Sequence, residues 1–161
     1  MTPTQNNQRL ALTVQLAIKN ARRGGGPFAA IVTTDKGKIV AIGVNQVMMK
    51  KDPTAHAEIV AIRQACRKLN THHLKGYRLY TSSAPCILCF GAIYWSGLKK
   101  IYAASSKKRA ENFGFDEGPV SPSLWKAALR EKRIRYTLKI PPGIDPAKPF
   151  LVYKKAGGKV Y

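Results

Sequence analysis

Asp52-Pro53-Thr54-Ala55-His56-Ala57-Glu58 and Ala84-Pro85-Cys86-Ile87-Leu88-Cys89 are the two stretches around which the chain arranges itself. Together they offer one imidazole, a carboxylate two residues further on, and two thiols three residues apart. Pro53 fixes the approach to a helix and Thr54 reads as its N-cap, which puts His56 and Glu58 in the first turn. Pro85 precedes a second helix, and the spacing of three brings Cys86 and Cys89 to one face of it. Both thiols then lie near a helix N-terminus, where the dipole favours the thiolate. One nitrogen and two thiolates give a tetrahedral zinc three ligands and leave the fourth position for water, as a catalytic site requires. Zinc lowers the pKa of such a water to roughly 7. Glu58 is the group placed to take a proton from it and hand that proton to a leaving group.

A Cys-x-x-Cys pair on its own also fits a redox couple or half of a structural zinc site. A structural site wants a fourth ligand, and none is evident: His72 and His73 read as a loop pair and Cys66 as a core residue. Both halves of the pattern occur in order, each with its proline, which favours the catalytic reading. The order His-x-Glu followed by Pro-Cys-x-x-Cys is the signature of zinc-dependent nucleobase deaminases.

A length of 161 residues suits one domain with a sizeable core. No apolar run is long enough to span a bilayer, and the first residues carry no secretory pattern. Three cysteines, two of them assigned as ligands, suggest a reducing compartment, with cytoplasm as the default. The 28 Lys and Arg against 8 Asp and Glu give a net charge of +20, which attracts polyanions without any specific site. The cations are scattered in small groups, Arg22-Arg23, Lys50-Lys51, Lys107-Lys108-Arg109 and Lys132-Arg133, with no RNA-binding motif. A nucleic-acid partner held by a non-specific basic surface therefore stays open beside a plain solubility role. The scarcity of acids gives weight to the adjacent Asp116 and Glu117.

In chain order, residues 1–6 look frayed, and Leu10, Val14, Ala17 and Ala21 recur at helical spacing from about Asn7 to Arg23. Phe28 to Thr33 and Lys38 to Asn45 form a hairpin around Thr34-Asp35-Lys36-Gly37. The helix from Thr54 to about Asn70 is amphipathic, with Ile59, Ile62, Cys66 and Leu69 on one face. Strands follow at Tyr77 to Thr81 and Lys99 to Ala104, on either side of a nearly all-apolar helix that begins at Cys86 and ends at Gly97. A helix from Pro122 to about Lys132 and a strand from Ile134 to Ile140 come next. The predicted fold is a three-layer α/β/α sandwich, a mixed central sheet with helices on both faces. Residues 1–161 form one domain in this reading, with 141–161 a C-terminal segment docked over the active site.

These motifs resemble the cytidine deaminase superfamily, on the branch of guanine deaminases and bacterial tRNA adenosine deaminases. The resemblance spans about Gly24 to Pro119. Asp52 to Leu69 is common to both sub-branches. Cys89-Phe90-Gly91-Ala92-Ile93-Tyr94-Trp95-Ser96-Gly97, Gly114-Phe115-Asp116-Glu117-Gly118-Pro119 and a tail ending in tyrosine are similar to the guanine deaminases. The resemblance implies that Asn45 binds substrate and that Phe28 lies beside the base, although a strand end and an apolar core would also use these residues. It implies that Ala57 belongs to the substrate-binding set, that Trp95 lines the pocket, and that Asp116 or Glu117 holds the purine or shuttles a second proton. Tyr161 would close the site. Ala84 departs from the pattern, since the family usually has Glu before Pro-Cys, and a lost supporting hydrogen bond costs about 10–100-fold in metal affinity or activity. The implied protein is a homodimeric zinc aminohydrolase taking guanine to xanthine and ammonia. The alternatives are a tRNA adenosine deaminase, or a weakly catalytic zinc protein with an RNA-binding surface.

Overall fold

A central sheet in the strand order β2-β1-β3-β4-β5 organises the computed structural model, which describes residues 2–116, 123, 126 and 134–161. The strands are β1 (Ala29–Thr34), β2 (Ile39–Val44), β3 (Tyr77–Thr81), β4 (Lys100–Ala103) and β5 (Arg135–Leu138). The hairpin β1–β2 and the pair β1–β3 are antiparallel, whereas β3–β4 and β4–β5 are parallel. The sheet is thus mixed, and its parallel pairs need crossovers that lie on a face.

Helices cover both faces. Ile31 faces Tyr80 across β1 and β3, and both pack with Leu10 and Val14 of α1 (Pro3–Ala21) and with Ala104. One residue along, Val32 faces Leu79 and points the other way, as the period of two requires. These two join Ala61, Ile62 and Ala65 of α3 (Ala57–Leu69), Phe90 and Ile93 of α4 (Ile87–Trp95), and Ile101 of β4. Gly43 lets α3 lie directly on β2, because a methyl there would overlap the carbonyl of Ala57 and the amide of Ala61. The three-layer sandwich is therefore present, with α1 on one face and α3 and α4 on the other.

Helix boundaries differ from the sequence expectation where capping decides them. Helix α1 begins at Pro3 rather than near Asn7, because Thr2 and Gln5 form a reciprocal capping box and proline suits the first turn. The segment 1–6 expected to fray is thus helical from Pro3 onward. The periodicity also missed α2 (Val47–Lys50), a single turn, and α5 (Lys107–Asn112), capped by the Ser106 hydroxyl accepting from Arg109 N–H, as it did the helix near the chain's end. The helix expected over 122–132 lies outside the described residues except at Ser123 and Lys126. Near the end, α6 (Lys148–Lys155) packs against α1, and the Tyr153 hydroxyl donates to the Lys159 carbonyl to fold the last residues back.

Candidate active site

Helices α3 and α4 aim their N-termini at one end of the sheet, where β2 and β3 finish and β1 starts. The turn before α3 is held by Asp52, whose Oδ1 accepts from Thr54 N–H at 2.8 Å and Thr54 Oγ1 at 2.7 Å. Thr54 is therefore consumed in this Asx turn and is not the N-cap. That position belongs to His56 (φ −64°, ψ 152°), one residue before Ala57. Glu58 follows in the first turn and is buried, with 5% exposed. Cys86 caps α4, its Sγ accepting from Cys89 N–H at 3.4 Å.

His56 Nδ1 lies 3.4 Å from Cys86 Sγ and 3.5 Å from Cys89 Sγ, and the three donor atoms are all within 4.8 Å of one another. A tetrahedral zinc with ordinary Zn–N and Zn–S bonds spaces neighbouring ligand atoms about 3.5 Å apart, so this donor set fits the ion. The hydrogen bond from Cys89, aided by His56, holds the Cys86 thiol down to about 5, so a thiolate is ready for a cation. Burial pushes Cys89 the other way.

Glu58 stands beside this cluster without joining it. Its Oε1 accepts from the Thr81 hydroxyl at 2.8 Å, and its Oε2 lies 3.4 Å from Cys89 Sγ, the thiol donating. Burial pushes the carboxyl up, with the charge of Cys86 adding to the rise. Thr81, at the last position of β3, was not singled out from sequence; a threonine ending a strand carries no local signal of its role.

The cluster opens into a cavity of about 100 Å³ walled by Phe28, Asn45, Ala84, Lys107, Ala110, Phe115, Asp116 and Tyr161. The ring of Phe28 meets Phe115 edge-on at 4.9 Å and Phe150 at 5.5 Å, and Phe115 also touches Tyr161 at 5.8 Å. Asn45 Oδ1 accepts from Val47 N–H at 3.2 Å, and its side chain is hydrogen-bonded to the Tyr161 hydroxyl. Burial pushes the Tyr161 phenol up.

Two residues named from sequence lie elsewhere, and a third is outside the described residues. Trp95 does not wall this cavity: it ends α4 on the side opposite Cys89, Phe90 and Ile93, and is 80% exposed with Tyr94 beside it. The Ala57 side chain is part of the hydrophobic core, because its position in the first turn of α3 points it at the sheet. Glu117 lies outside the described residues. Lys107, Ala110 and Phe115 were missed as wall residues. Phe115 was within a quoted motif, but α5, which brings the other two, was not foreseen.

Residues 4–105 match the model of the cytidine and deoxycytidylate deaminase zinc-binding region. The chain belongs to this family. Its His-Cys-Cys cluster is positioned to bind a metal, and the protein is a zinc-dependent deaminase. It is similar to guanine deaminase of Bacillus subtilis, 42% identical over 120 residues that cover 74% of this chain and 76% of that protein. The tRNA-specific adenosine deaminase of Aquifex aeolicus is 42% identical over 100 residues, covering 59% of this chain and 66% of that one. Among solved structures, guanine deaminase from Nitrosomonas europaea superposes with a TM-score of 0.79 at 32% identity, covering 96% of this chain and 84% of that one.

Proposed function

We propose that this deaminase acts on a free purine base, taking guanine to xanthine and ammonia. The observation that carries the reading is Glu58: a buried carboxylate next to a three-ligand metal cluster, facing a cavity of about 100 Å³. Zinc on His56, Cys86 and Cys89 supplies Lewis acidity and an activated water for attack on the amino-bearing carbon. Glu58 carries a proton from the nucleophile to the departing amine. Thr81 keeps the Glu58 carboxylate oriented for that transfer.

Phe28 offers an aromatic wall to the base. Asn45 has its Oδ1 engaged by Val47, so its amino group is the end that donates to a purine acceptor atom. Asp116 accepts from ring N–H groups, with Glu117 as its neighbour in the same role. Tyr161 closes the site, and residues 141–161 serve as the covering segment of a single domain.

The guanine deaminases of Bacillus subtilis and Nitrosomonas europaea support this reading. A second reading, adenosine in tRNA, is favoured by the +20 charge and the tRNA-specific relatives. The test is to incubate pure protein with a panel of aminopurines, pyrimidines and a tRNA anticodon stem-loop, measuring ammonia and inosine. Xanthine from guanine is expected. Inosine in the stem-loop with guanine untouched would transfer the case to RNA. We also propose a homodimer in the cytoplasm, supported by the exposed aromatic pair Tyr94 and Trp95 at the end of α4. Sedimentation at micromolar concentration checks it, a monomer being the contrary result.

A further inference from the structure

Asn20 is a buried polar side chain that the chemistry above leaves unused. It lies on the inward stripe of α1 with Leu10, Val14 and Ala17, where an apolar residue is expected, and only 6% of it is exposed. Its Nδ2 donates to two carbonyls at 2.8 Å each, those of Gly26 and Asn45. Gly26 O also accepts from Phe28 N–H at 2.8 Å, and Asn45 N–H donates to Phe28 O at 3.0 Å. One buried amide thus ties together the loop that delivers Phe28 and the end of β2 that delivers Asn45.

The fit is close on every side. A methyl at Gly25 would overlap the Asn20 carboxamide, and a methyl at Gly26 would overlap the Tyr161 hydroxyl and Asn45 Oδ1. Gly26 must therefore stay where Asn20 holds it for Asn45 and Tyr161 to meet. Asn20 itself does not wall the cavity.

We propose that Asn20 is a positioning residue for substrate, acting through Asn45. The proposal rests on the reading of the cavity as a purine site. A purely structural tie would spread its loss over stability alone. A positioning tie makes substrate affinity fall with zinc content and the chemical step preserved, because the metal cluster and Glu58 hang on α3, α4 and β3 instead.

The experiment is a double-mutant cycle on guanine turnover. Asn20→Asp keeps the shape but turns a donor into an acceptor facing two carbonyls; Asn20→Leu removes the donors with little change in volume and serves if the first variant does not fold. Either variant is expected to keep one zinc per chain and to raise KM about tenfold, the worth of one well-placed hydrogen bond, with kcat changed much less. In an Asn45→Ala background the same substitution should leave KM almost where Asn45→Ala alone puts it, since the group it positions is gone. An unchanged KM, or a tenfold effect that survives undiminished in the Asn45→Ala background, overturns the proposal. A wild-type protein inert to guanine overturns the substrate reading instead, and the cycle is then read on whichever panel member releases ammonia.

Discussion

The metal half and the substrate half of the site are built differently. His56, Glu58, Cys86 and Cys89 come from two helix N-termini within two short motifs; they touch one another, and Glu58 is tied to the end of β3 through Thr81. Phe28, Asn45, Asp116 and Tyr161 come from a loop, a strand end, the stretch after α5 and the tail; Phe115 joins Phe28 to Tyr161, and Asn45 bonds to both Phe28 and Tyr161. Local anchoring makes the first half rigid and tolerant of change elsewhere. Mutual anchoring makes the second half adjustable, since each member depends on segments far away in sequence. A fold does not set a substrate and the residues of the site do, so the choice between guanine and RNA is sought in the second half.

The largest effect should come from the ligands. His56→Ala, Cys86→Ala or Cys89→Ala should each strip most of the zinc and abolish turnover, as elemental analysis and an ammonia assay will register. Full zinc retention after Cys86→Ala would break the assignment of that half. Glu58→Gln comes next: zinc should stay while turnover drops by about 10²–10⁴-fold, the usual worth of a positioned acid–base group. Near-normal turnover in that variant would mean the proton moves by another route.

Changes in the substrate half should be smaller and of another kind. Asn45→Ala, Asp116→Ala or removal of Tyr161 should keep zinc and lower kcat/KM for guanine by about tenfold each, mainly through KM for Asn45. If the Tyr161 deletion loses zinc, the two halves are coupled and the comparison fails.

The same contrast explains what could be read from sequence. The metal half is spelled in residue types at fixed spacing, and the strands that support it read as short β-rich runs buried on both faces, as Ile31-Val32 and Leu79-Tyr80 are. Periodicity sees neither caps nor long-range ties. It missed the Thr2–Gln5 box that starts α1 early, the Ser106 cap that starts α5, and the Asx turn that takes Thr54 away from α3. Trp95 does not line the cavity of its own chain, because resemblance fixes a motif and not which side of a helix end a side chain takes. Thr81 matters through its hydrogen bond to Glu58 and Asn20 through two, to Gly26 and Asn45, and one sequence holds no record of those pairings.

The smallest effect should come from the opposite end of the sheet, which touches neither half. Asp35, in the β1–β2 turn, accepts from Arg78 Nε at 2.8 Å and Lys100 Nζ at 3.1 Å, clasping the starts of β3 and β4. The Arg78 hydrogen bond, then that of Lys100, holds its carboxyl below the usual 3.8. A carboxyl lowered by folding contributes stability above its unfolded pKa, and the contribution is lost as pH falls through the folded value. The Asp35 side chain is 49% exposed, so solvent screening keeps the clasp weak. Asp35→Asn should therefore lower the melting temperature by only a few degrees at pH 7, with the gap to wild type closing as the pH falls below about 4. Zinc content, kcat and KM should not move. An equal gap at pH 7 and pH 3 would show that the clasp acts through shape rather than charge. A change in KM would show that the strands transmit strain to the substrate half, and the site could then no longer be treated as two separable parts.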